Sequence, residues 1–511
     1  MLSLDTVPQE ILERIAFLSA TETLLGPPSS LVTLQSANRQ IHASLSFTSN
    51  PYLYARIFAF KFDVGRSSRQ VSDRSSPSIL AHELVHRFRV LRRVRAMVSA
   101  GDIDLEREIL FHSYLMMLEN AGKNEEQLRD YARMEDWLRS YLKVKPPIEQ
   151  WPPHNDHTSL AMWLFWFLLR PADYANDEDS TWDILNVLKV YALGAHKYPL
   201  TDPSWVNFLP DSRPHSTNIV HYSEAHQLKV PPLATPAILS FLTLFNLKAK
   251  ALDFGPTLEI PIKAGCNEWE YELGRCLSLS RPNLDKGVTE SFRPGSVEGT
   301  WEGIFTYTEF TAYAALLQGA PPPILQRSVI ARHRQTWKLR EHHHFGPSAA
   351  PPLGSACSSG SIPDFGSKRA PLSAGDPLRA YFPTGTRIVE SREGLEVFEP
   401  NCRKELRYHR ATLLPVMEGA DVDSEQQVQD IIITGEGHSA WGQFNLVGRV
   451  RPCDGFISLC KEYVDDDRGK WIYRGYLVGN VNSNLAGRWR DTLSPASVPG
   501  YEGCFIMARR R

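Results

Sequence analysis

The chain has 511 residues, 42% apolar and 22% charged, which excludes wholesale disorder or a fibrous repeat and leaves room for roughly three or four domains. Lysine and arginine number 56 against 58 acidic residues, so the net charge of −2 gives no global field for nucleic acid or anionic lipid. The 7 cysteines, an odd number with no CxxC pair, exclude a disulfide framework and a metal knuckle.

The opening MLSLDTVPQEILERI has no basic leader followed by an apolar run. Met162 to Leu169 is the strongest apolar stretch, and it is far shorter than the roughly 20 residues a bilayer demands. An intracellular protein, cytoplasmic and/or nuclear, is the expectation, with no membrane partner.

Residues 1–60 read as three short helices. Pro8 suits a first helical position, and Pro8, Ile11, Leu12 and Ile15 share one apolar face at i, i+3, i+4 and i+7. After Gly26-Pro27-Pro28, a second stripe runs through Leu31, Leu34, Ile41 and Leu45, and Pro51 opens a third with Leu53, Tyr54, Ile57 and Phe58. So small a unit buries little of its own apolar surface and is expected to complete itself against a partner.

Residues 61–296 read as a helical middle region with proline-rich joints. Its first long helix carries HELVH at His82–His86, the pattern of a zinc peptidase with Glu83 as general base. Arg89 and Arg93 continue that face as a cationic stripe, and the histidines are expected to be solvated opposite Leu80, Leu84 and Leu91. A metal-free helix is therefore the preferred reading and zinc peptidase chemistry through His82, Glu83 and His86 the alternative.

From 297 to 511 the pattern changes to short aromatic-rich strands separated by turn residues, which favours an antiparallel β-barrel. Residues 341–380 hold 18 Gly, Pro or Ser in 40 positions and read as a disordered insertion that includes the solvated run His342-His343-His344. GHSAWG around Ser439 lacks the final glycine and the following helix of a nucleophile elbow. Trp301, Trp441 and Trp489 read as barrel core, and Arg509-Arg510-Arg511 as a solvated tail.

Strand parity places Ile457, Leu459, Lys461 and Tyr463 on one face, and Ile472, Arg474, Tyr476 and Val478 on another. A lone cation on an apolar face is costly to bury. Lys461, Tyr463 and Arg474 are thus a candidate substrate or ligand site for an anionic or C-terminal peptide group, unless the two cations lie on the solvent side.

LDTVPQEILERIAFL, LVTLQSANRQIHASL and NPYLYARIF together resemble an F-box, the module that docks the Skp adaptor of cullin-based ubiquitin ligases. The resemblance implies adaptor contact through Val7, Pro8, Ile11, Leu12, Ile15, Leu31 and Leu34. The series GTWEG, GEGHSAWGQFNLVGRVRPCDGFISLCKEY, WIYRGYLVG, AGRWRD and GYEGCF resembles a lipocalin-like β-barrel attached to a class of F-box proteins. The expectation is an α+β multidomain chain acting as a non-catalytic substrate receptor. It would have no cofactor, no metal and no catalytic residue of its own, and its partners would be the Skp adaptor, the cullin scaffold and a protein substrate rather than nucleic acid. A barrel that stores a small apolar ligand is a further alternative.

Overall fold

The computed structural model describes residues 7–510 apart from 65–75, 145–149, 176–177, 202–205, 211–215, 251–260, 262–268, 281–287, 289–290, 348–370, 401–404, 412–425, 466–467 and 480–481. Helices fill the N-terminal part and an antiparallel barrel the C-terminal part, so the fold is α+β.

Four helices open the chain: α1 (Gln9–Ala20), α2 (Ser29–Gln35), α3 (Arg39–Leu45) and α4 (Pro51–Lys61). Asn38 and Asn50 cap α3 and α4, their side-chain oxygens accepting from Ile41 N at 2.8 Å and Leu53 N at 3.1 Å. α4 packs along α5 (Pro77–Ala100), which stops at Gly101 in the left-handed conformation, φ +66°. Behind it lie α6 (Arg107–Leu118), α7 (Met134–Lys143), α8 (Asp156–Leu168), α9 (Glu178–Leu193), α10 (Ala234–Lys250) and α11 (Glu270–Ser280). Every residue of α8 from Thr158 to Leu168 is buried, so the apolar run 162–169 is the centre of the helical body. Among the described residues no helix is long and apolar enough to cross a membrane.

A two-stranded hairpin, β1 (Thr217–His221) and β2 (Glu224–Leu228), interrupts the helices. Its partner is a buried polar cluster. Arg87 of α5 donates to Glu83 at 3.0 Å, Glu119 at 2.5 Å and the Tyr222 hydroxyl at 2.9 Å, while His221 pairs with Glu119 at 2.9 Å. Burial alone would raise the Glu119 carboxyl, but Arg87 and His221 hold it below the usual carboxylate range.

The barrel has eight strands: β3 (Gly299–Thr308), β4 (Ile330–Pro347), β8 (Gln426–Ser439), β9 (Gly442–Val450), β10 (Phe456–Tyr463), β11 (Lys470–Val478), β12 (Asn484–Asp491) and β13 (Glu502–Arg509). They pair in the order β3-β13-β12-β11-β10-β9-β8-β4, and β4 pairs with β3 to close the ring. β4 outruns β3, and its far half also pairs with β7 (Glu405–Arg410), from which β6 (Gly394–Phe398) and β5 (Arg387–Glu390) extend as an arm over the outer wall. Leu395, Val397, Leu406 and Tyr408 of the arm bury Ile432 of β8.

The run His342-His343-His344 is not a solvated loop. All three are buried in β4, paired against β7 and β8, and His343 Nε2 lies 2.7 Å from Glu341, which itself accepts from the Gly295 and Val297 amides. The Gly/Pro/Ser density that suggested an insertion begins only at Gly346, and 348–370 lies outside the described residues. Arg509 likewise ends β13 half-buried over the Trp301 ring rather than in a free tail.

Two cores result. The barrel interior is filled by Trp301, Trp337, Phe305, Leu459, Tyr473 and their neighbours. The other core is continuous from Leu12 and Leu31 through the helical body to Tyr476, Val478 and Ile506 on the outside of the barrel. Buried arginines stitch that contact. Arg488 of β12 donates to the Tyr191 and Ala192 carbonyls at 3.2 and 3.0 Å, where the C-terminal dipole of α9 favours a cation. Arg275 of α11 donates to the Asp454 and Leu477 carbonyls of the barrel at 3.1 and 3.2 Å.

Candidate functional site

The structure divides the seven candidate adaptor contacts. Leu12 and Leu31 are buried in the molecule's own core, Leu34 is half-buried against it and Val7 is half-buried. Pro8, Ile11 and Ile15 are exposed. With Leu18 they form an outward stripe on α1, Ile11 53%, Ile15 36% and Leu18 52% exposed. Val32 on α2, 60% exposed, adds to the apolar exposure of these first helices. Leu18 is not legible from the periodicity that groups Leu12 with Ile11 and Ile15, because α1 has two apolar faces: 11, 15 and 18 outward, 12, 16 and 20 inward.

The outward face is firmly held. Asn50 Nδ2 donates to Glu13 at 2.8 Å, Arg56 lies 4.3 Å over the Phe17 ring, and Gln35 donates to the Leu45 carbonyl and Tyr54 hydroxyl, both at 2.6 Å. Lys61, fully buried, donates to the Thr23 carbonyl at 2.8 Å, and its burial lowers its pKa to about 8.

Lys461, Tyr463 and Arg474 do not form one site. Lys461 and Tyr463 point into the barrel; Arg474 points outward, where Glu502 accepts from it at 2.7 Å. Lys461 is only 1% exposed, and its Nζ lies 3.9 Å from the centre of the Phe444 ring, 4.8 Å from Tyr463, 5.2 Å from Phe305 and 5.3 Å from Tyr473. Among the described residues its one hydrogen bond is a long one of 3.4 Å to Gln335 Oε1. Burial without a facing carboxylate lowers its pKa to about 7. Above this cage, Trp441 closes the rim against Phe305, Tyr307 and His333 and remains 38% exposed, so it is a rim residue, whereas Trp301 and Trp489 are core. Trp441 sits in the hairpin between Ser439 and Gly442, which confirms that GHSAWG turns between two strands. There Gly437 is required, because a Cβ would meet the Thr336 backbone carbonyl at 2.4 Å and the Phe444 ring at 2.5 Å.

The HELVH residues diverge. His82 Nδ1 lies 2.7 Å from the Ser78 carbonyl, Glu83 turns inward to Arg87, and His86 packs edge-on against His112 with centroids 4.1 Å apart. His86 is half-buried rather than solvated because α6 covers it, and burial lowers its pKa. Among the described residues no group of three or more His, Cys, Asp or Glu is arranged to hold a metal. The described cysteines, Cys276, Cys453, Cys460 and Cys504, are free thiols.

Outside the barrel, a groove of about 750 Å³ separates β5 from the wall formed by β9, β10 and β11. No known protein family, curated protein or solved structure matches this chain.

Proposed function

We propose that the chain is a non-catalytic substrate-recognition subunit of a cullin-type ubiquitin ligase, working in the cytoplasm and/or nucleus. The observation that carries this reading is the stripe Ile11, Ile15 and Leu18, presented to water by a helix whose opposite face is locked into the core. It falls in the segment that resembles an F-box. Covering such side chains with a partner contributes roughly 1 kcal/mol each at their present exposure. Because the helix is already rigid, little ordering entropy opposes docking.

The continuous helical core then fixes the distance between that face and the barrel, which holds the target. Catalysis is proximity: lysines of the bound target are kept at high effective concentration near a conjugating enzyme that the scaffold carries.

Co-purification with the Skp adaptor tests the reading. Wild-type protein is expected to retain the adaptor, and the double variant Ile11→Asp, Ile15→Asp to lose it. Equal recovery by both proteins, or none by either, overturns the assignment.

A further inference from the structure

The arm leaves an unused hydrogen-bonding edge. In the sheet order β4-β7-β6-β5, β5 is terminal, and the far side of Arg387–Glu390 pairs with no described strand. The groove lies on that side. Ile388 and Glu390 of β5 line it while no residue of β6 or β7 does, and its floor is the outer wall at Asn445, Val447, Cys460 and Lys470. Its far end is the turn around Pro377–Arg379, held by Asp376, whose carboxylate accepts from Leu378 N at 2.8 Å.

The charges there are unevenly matched. Arg340 is engaged by Glu390 at 2.6 Å and Glu436 at 2.5 Å, and Lys470 by Glu462 at 2.8 Å. Arg379 lines the groove, is exposed, and makes no side-chain hydrogen bond or ion pair among the described residues. It acts on Lys470 as a neighbouring like charge. An exposed strand edge accepts an extended chain through main-chain hydrogen bonds, with side-chain pockets supplying selectivity. An unmatched guanidinium beside a second cation selects a carboxylate.

We propose that this groove takes an extended peptide segment that adds as a strand to the free edge of β5 and places an acidic side chain at Arg379. The floor suits such a guest: Val447 and the half-buried Cys460 offer apolar contact to alternate side chains, and Asn445 and Thr492 offer hydrogen bonds. β5 is short and carries Arg387 and Glu390, which guards the edge against indiscriminate pairing and leaves it open to a matched strand. The proposal deepens the receptor reading by naming the surface and chemistry of the target, while its test does not pass through the adaptor.

The test uses the full chain and a fluorescent, end-capped peptide that alternates valine and threonine around a central glutamate, followed by anisotropy. Two further probes are the same peptide with a central lysine and the same peptide with alternate amides N-methylated. The glutamate peptide is expected to bind about tenfold or more tightly than either. Arg379→Glu, a surface change that leaves the fold intact, is expected to reverse the preference between glutamate and lysine. Failure of the glutamate peptide to saturate the protein at millimolar concentration overturns the proposal. So does equal binding of the N-methylated peptide, or a preference untouched by Arg379→Glu. Adaptor capture is measured on the same preparations: its absence beside intact peptide binding would sink the ligase reading and leave the groove standing.

Discussion

The inner and outer faces of the barrel solve the same problem in different ways. Lys461 on β10 and Arg474 on β11 are both nearly inaccessible cations on neighbouring strands. The inner one sits among four aromatic rings with no carboxylate of the described residues facing it, and its pKa falls to about 7. The outer one is also lowered by burial, to about 10, but Glu502 opposes the fall and keeps it charged at neutral pH. The outer wall repeats that solution: Arg449 meets Asp430 at 2.9 Å, Arg451 meets Asp454 at 2.5 Å, and Arg488 meets helix carbonyls. A guanidinium, with five donors in a plane and strong resistance to deprotonation, can be buried wherever oxygens converge. An ammonium in an aromatic lumen has only ring faces and the option of losing its proton.

The largest break in this comparison is on the outer face. Asp454 is fully buried, accepts from Arg451 at both oxygens and from the Tyr476 hydroxyl at 2.8 Å, and its backbone carbonyl receives Arg275. Arg451 holds the Asp454 carboxyl below its usual range despite burial. Asp454→Ala leaves a buried guanidinium without its counter-charge, and we expect about 4 kcal/mol of destabilisation in urea unfolding. A loss below about 1 kcal/mol would show that the outer arginines are satisfied by carbonyls alone.

The inner face should respond with the opposite sign. The Lys461 pKa is about 7 in the fold against about 10.5 for a solvent-exposed lysine. Below pH 7 the amine is charged in both states and the fold bears the whole cost of burying it. Between pH 7 and about 10 the folded protein has released the proton while the unfolded chain retains it, so stability rises with pH. Lys461→Met should therefore raise stability at neutral pH by on the order of 3 kcal/mol, part of the nominal gain being offset by lost cation–π contact. The advantage should shrink steadily toward pH 10. A constant difference across that range would mean that the lysine is not buried uncompensated.

The same contrast explains what was legible in the sequence. Short aromatic-rich runs between turn residues, such as GFISLCKEY and WIYRGYLVG, marked the strands, and parity grouped Lys461 with Tyr463 and Arg474 with Tyr476, as the structure has them. Which group faced the lumen was not readable, because the helical body covers the outer wall. β12 is buried at every position from Asn484 to Asp491, so polarity no longer separates inside from outside. The burial of Arg488 was not readable for a related reason: its partners are the Tyr191 and Ala192 carbonyls, brought from α9, far away in the chain. His342–His344 were misassigned because composition was averaged over a window that joined the end of β4 to the glycine- and proline-rich residues beyond it.

The smallest stability effect belongs to the N-terminal helix, which carries its own inner and outer faces. Leu12, Ala16 and Ala20 are part of the core, and Ile11, Ile15 and Leu18 are not. Exposed side chains lose little when they become polar, so Ile15→Asp should alter unfolding free energy by no more than about 0.5 kcal/mol. α1 has Glu10 in its first turn and no basic residue in its last, so an added aspartate in mid-helix meets no strong local field beyond the neighbouring Glu13 and Arg14. Adaptor capture should nonetheless fall sharply, because docking would bury that carboxylate against an apolar surface without a partner. The combination is what makes the measurement decisive. A variant that loses both stability and adaptor has merely unfolded; one that loses the adaptor at unchanged stability identifies the outer face of α1 as a surface kept for another chain.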